Sequence, residues 1–188
     1  MAGHLFEKWL KPGLNTLIRC IRFFYGHPIL VLIAFIPAST RFYQMWLDLN
    51  TPVWVEVLTE TTRLVLFLMI VSILSKVPFK HVFYRDFWNG VGKNCTLILN
   101  KHWPAIMLSQ FIVFIIVLYG LMNIFINIIV NISLGPVSES FNIEDSKTAS
   151  LKNALLFFLK NISVIPLAMT YMVMVFGLYH PSKKNSRD

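Results

Sequence analysis

In the stretch VWVEVLTETTRLVLFLMIVSIL, Glu56, Glu60 and Arg63 stand at i, i+4 and i+7, so one helix face carries two carboxylates and a guanidinium. In YGLMNIFINIIVN, Tyr119, Asn123, Asn127 and Asn131 follow one another at steps of four. Lys160 and Asn161 adjoin in FFLKNISV, beside Asn153 upstream and Ser163 downstream. Set in apolar surroundings, these residue types support three kinds of chemistry: ion pairing, hydrogen bonding between helices, and binding of an ion or polar solute. An unpaired amide or charge facing lipid costs on the order of 2 to 4 kcal/mol, so each group needs a partner. Arg63 reads first as the partner of Glu60, or of Glu56 one turn further back. The sharper reading makes it an anion-binding group. Lys160 has the further option of snorkelling to the headgroups along its own stem.

Nothing else in the chain adds reactive chemistry. His4, His27, His81, His102 and His180 occur singly, with no i, i+4 pair and no acidic residue in ligand register, so no metal is expected. There is no glycine-rich phosphate loop and no serine elbow, and no cofactor is expected. Cys20 and Cys95 read as apolar fillers, with palmitoylation of Cys20 as an option in a eukaryotic host. The sequons at Asn94, Asn131 and Asn161 are uninformative, because they fall on the inner side or at the membrane boundary.

The elements that must position these groups follow from composition. The chain of 188 residues is 56% hydrophobic and 14% charged, with mean hydropathy +0.63, and its apolar residues come in blocks. That describes one membrane domain over residues 1–188. Spans are expected at about 53–75, 104–132 and 162–180, the last behind the amphipathic lead-in SLKNALLFFLKN. A further span at about 27–46 rests on ILVLIAFIPA, only ten residues, and a re-entrant hairpin competes with it. Pro166 should bend the last span close to its polar residues.

Basic residues set the expected orientation. Lys8, Lys11, Arg19 and Arg22 precede the first span; Lys76, Lys80, Arg85, Lys93 and Lys101 lie between the second and third; Lys183, Lys184 and Arg187 occupy the tail at 181–188. These twelve face three on the other side, Arg41, Lys147 and Lys152, which places both termini in the cytoplasm of a multi-pass protein. The bacterial plasma membrane is favoured and the ER membrane is the alternative. The net charge of +8 is explained by topology and by attraction to anionic lipid, so no nucleic-acid partner is expected. No cleavable signal peptide is visible. Residues 5–25 read as an amphipathic interfacial helix with Leu14, Leu17, Ile18, Ile21 and Phe24 on its apolar face. Val91, Cys95, Ile98 and Leu99 mark a second interfacial helix, with Trp88 and Trp103 at headgroup depth.

The expected fold is therefore an all-α integral membrane protein, a bundle of four transmembrane helices with two interfacial helices. In that orientation the polar residues of spans two, three and four share the extracytoplasmic half, and their stripes are expected to face one another. The cluster Glu56, Glu60, Arg63, Tyr119, Asn123, Asn127, Asn131, Lys160 and Asn161 reads as structural glue, a solute site, or a docking surface for another integral membrane protein. Size, basic N-terminus, four spans and Phe/Ile/Asn-rich character are similar in kind to small accessory subunits of membrane complexes and to immunity proteins against pore-forming bacteriocins. That likeness implies a non-enzymatic protein acting by contact, as accessory subunit, assembly factor or inhibitor. The alternative is a small transporter or channel component.

Overall fold

A computed structural model describes residues 10–47, 52–144 and 147–179, and all regular structure among them is helical. Residues 5–9 of the expected first helix and the tail 181–188 lie outside the described residues. In chain order the helices are α1 (Lys11–Tyr25), α2 (Pro28–Leu47), α3 (Val53–Ser75), α4 (Arg85–His102), α5 (Ile106–Ser140) and α6 (Thr148–Phe176), with a short 3₁₀ turn, Phe79–Phe83, ahead of α4. Four of them, α2, α3, α5 and α6, are long and apolar enough to cross a membrane.

Residues 28–47 form a continuous helix of 20 residues, not a hairpin, with Pro37 buried inside it. The last two long helices extend beyond their expected limits. The lead-in SLKNALLFFLKN is the first part of α6 itself, a helix of 29 residues, and α5 reaches 35 residues. Both contain a π-helical segment, Phe114–Leu121 in α5 and Lys160–Val164 in α6. The second follows from Pro166, which has no N–H to donate and whose ring crowds the carbonyl four residues upstream. Widening the preceding turn relieves that crowding, so the expected disturbance takes the form of a bulge just ahead of the proline.

Helix α6 is the centre of the bundle, packed against α2, α3, α5 and α1. Leu30, Ala34, Leu66, Ile70, Leu167 and Tyr171 are among the fully buried side chains at these contacts. The chain enters and leaves at one end, where Gly13 meets Ser109 and the carbonyl of Tyr179 meets Asn94.

Helix α1 is seated differently from its apolar pattern. The face Gly13, Leu17, Cys20 and Phe24 is buried against α5 and α6, while Ile18 and Ile21, two of the residues expected to define the apolar face, are exposed. Small residues decide the rotation: a β-carbon on Gly13 would lie 2.6 Å from Val113 Cγ2, and the Gly13 N–H donates to Ser109 Oγ at 3.2 Å. The Cys20 thiol lies 3.4 Å from the Met174 sulfur, and burial pushes its pKa up to about 12. Helix α4 docks through Phe87 and Val91, and Asn94 donates to the carbonyls of Gly177 and Tyr179 at 2.8 and 2.9 Å. Gly177 takes a positive φ of 62°, and a β-carbon there would strike Ile98.

Candidate functional site

The helical phase of α3 places Glu56, Glu60 and Arg63 along one side, next to α2 and α6. There they join two residues that the sequence reading left aside as site members, Arg41 and Gln44 of α2. Arg41 forms a two-pronged bridge to Glu56, with Nη1 donating to Oε1 at 2.7 Å and Nη2 to Oε2 at 2.6 Å. Gln44, buried, accepts from Arg41 Nη1 at 2.9 Å and donates to Glu56 Oε1 at 3.2 Å. Glu60 takes Arg63 Nη1 at 2.6 Å and lies 3.5 Å from Arg41 Nη2. Arg63 Nη2 then crosses to α6 and donates to Asn161 Oδ1 at 2.6 Å. Asn161 is buried within the π-helical segment, and its own amide donates to Phe157 O at 2.7 Å.

Two guanidinium groups and two carboxylates thus alternate across three helices, closed at either end by a buried amide. Formal charge cancels within the group. The carboxylates are the open side, with Glu56 and Glu60 side chains 44% and 59% exposed against 16% for Arg41 and 19% for Arg63. Arg63 Nε is buried with no hydrogen-bond partner among the described residues.

Of the three polar stripes expected to face one another, those of α3 and α6 meet through Arg63 and Asn161, and that of α5 does not join them. Asn123 and Asn127 turn their amides onto their own helix, donating to the carbonyls of Tyr119 and Asn123, the latter at 2.8 Å. Asn131 and Tyr119 are exposed. The reason is geometric: Ile126 and Val130, one residue before Asn127 and Asn131, are the residues buried by the Met122–Ser140 part of α5, which rotates the asparagines to the rim of that contact. Lys160 is half-buried and has no ion pair among the described residues. The signal for Arg41 and Gln44 in the sequence is their i, i+3 spacing beyond Pro37, which is weak because Arg41 also fits the end of a span.

Among the described residues no three of His, Cys, Asp or Glu are grouped to hold a metal ion. No protein-family model, curated protein or solved structure matches this chain.

Proposed function

We propose that this chain is a non-enzymatic, multi-pass membrane protein that acts by contact with another integral membrane protein, as accessory subunit, assembly factor or inhibitor. The observation that carries the reading is the state of α5. Only 17% of its most apolar stretch is buried within the chain, against 39% for α6, and the polar ladder Tyr119, Asn123, Asn127 and Asn131 runs along its rim with no side-chain hydrogen bond to another helix among the described residues. Side-chain amides at that position each gain about 0.5 to 2 kcal/mol when a second helix supplies acceptors and donors. A helix that faced lipid alone has no use for a repeated asparagine.

In this reading both termini are cytoplasmic, in a bacterial plasma membrane, and α1 and α4 lie at the headgroup layer of that side. The basic residues Arg19, Arg22, Lys76, Lys80, Arg85, Lys93 and Lys101 favour it, because all of them lie on segments at the end where the chain enters and leaves. A transport role would use the ionic cluster of α2, α3 and α6, and the internal pairing of its four charges argues against an open solute site there.

The test is a photoreactive residue placed in turn at Asn131 and at Leu64, an exposed apolar position on α3. A discrete protein adduct from position 131, with lipid adducts alone from position 64, supports contact through α5. Lipid adducts alone from both positions refute it.

A further inference from the structure

At the end of the bundle where the chain enters and leaves, a cavity of about 300 Å³ opens between α1, α4 and the adjoining ends of α3, α5 and α6. Arg19 and His102 stand in its wall, with Leu74, Ile98 and Met174 forming an apolar floor. No carboxylate lines it, and neither Arg19 nor His102 has an ion pair or side-chain hydrogen bond among the described residues. Tyr179 adds its hydroxyl to the wall, while Thr16 and Gln110 are committed to one another and to their neighbours. Thr16 donates to Pro12 O at 3.1 Å, Gln110 donates to Thr16 Oγ1 at 3.1 Å, and the Tyr171 hydroxyl donates to Gln110 Oε1 at 2.6 Å. The cavity therefore presents one fixed positive charge, one imidazole and the Tyr179 hydroxyl over a hydrocarbon base.

Beside it lies a second, smaller space of about 170 Å³, bounded by Phe111, Phe114, Met172 and Phe176. Gln110 and Val175 belong to the walls of both. The first space suits an anion and the second suits a hydrocarbon chain, and their common wall sets them side by side. Exposed Trp103 follows His102 directly, a residue type that favours headgroup depth.

We propose that the two spaces together hold one anionic phospholipid, its phosphate at Arg19 and His102 and one acyl chain against Phe111 and Phe176. A free phosphate would use only the first space, and a zwitterionic lipid brings a second positive charge close to Arg19. The acidic headgroup with an attached chain is the ligand that uses both. This site is separate from the ionic cluster and from the ladder of α5, and it does not depend on the contact function proposed above.

The experiment is native mass measurement of the whole chain, purified in mild detergent, with phosphatidylglycerol, phosphatidylcholine, or inorganic phosphate added. One phosphatidylglycerol per chain is expected to persist. Arg19→Gln with His102→Gln should lower its retention about five- to tenfold, as loss of one close cationic contact and one donor implies. Arg19→Lys, which keeps the charge, should retain most of it, and Lys93→Gln, exposed on α4 outside the cavity, should change nothing. The variants should elute as monodisperse as the parent, since neither mutated side chain is bonded within the described chain. Equal retention of phosphatidylcholine, displacement by inorganic phosphate alone, or undiminished phosphatidylglycerol on the double variant would each overturn the proposal.

Discussion

The ionic cluster of α2, α3 and α6 and the asparagine ladder of α5 are built from the same material, polar side chains at helical spacing inside apolar helices, yet they are resolved in opposite ways. In the cluster every charged head reaches another helix, and the chain of contacts runs from Gln44 through Glu56, Arg41, Glu60 and Arg63 to Asn161. In the ladder, Asn123 and Asn127 satisfy themselves on carbonyls one turn back. Charge explains the difference. A guanidinium or carboxylate has no backbone remedy within its own turn, so the fold must bring a counter-ion; an amide can fall back on its own helix at small cost.

That contrast orders the consequences of mutation. Arg41→Leu should be the most damaging, because it breaks the two-pronged bridge to Glu56, frees Gln44 and removes the second contact of Glu60; the exposure of both carboxylates keeps the loss below that of a fully buried pair. Adding Glu56→Leu should recover part of it, as read by denaturation of the purified protein in mixed micelles. A double variant less stable than the sum of the two would break the pairing. Arg63→Ala should cost about 1 to 2 kcal/mol in the same assay, less than Arg41, since Glu60 keeps Arg41 within reach. Next comes Asn161→Leu, at about 1 kcal/mol, which leaves Arg63 with Nε and Nη2 both lacking an acceptor. Smallest is Asn127→Leu: the folded chain should change by no more than about 0.5 kcal/mol while recovery of a membrane partner falls sharply. A loss of fold at Asn127 comparable to that at Arg41 would erase the distinction between the two regions.

The sequence made the helices readable because crossing a membrane leaves few solutions: apolar blocks of sufficient length predict spans, and four helices of that kind are present. It also placed Glu60 beside Arg63, a local relation within one helix. What it could not give was the rotation of each helix about its axis. In lipid, apolar side chains do not distinguish neighbour helix from solvent, so a stripe of Ile and Phe carries no direction. The spacing of the asparagines therefore does not say whether they face inward, and Ile126 and Val130 take that position. Arg41 was missed for a related reason: it lies past Pro37, in a stretch that reads as a span end, and only the packing of α2 against α3 brings it to Glu56. In α1 the direction was written in small residues, Gly13 and Cys20, rather than in the large apolar ones that define an amphipathic pattern.

The shortness of α2 has a consequence for where such a protein is comfortable. Its uninterrupted apolar part, Ile29 to Ala38, spans about 15 Å, half of a typical hydrocarbon layer of about 30 Å. Arg41 and Gln44 follow within two turns, so in an ordinary bilayer the open carboxylates of Glu56 and Glu60 would lie below the waterline. The surrounding lipid must dimple to wet them, and each ångström of dimpling costs a fraction of a kcal/mol. The ionic cluster thereby acts as a depth gauge: short-chain lipids should raise the stability of the folded chain and long-chain lipids lower it, which biases residence toward thin membranes.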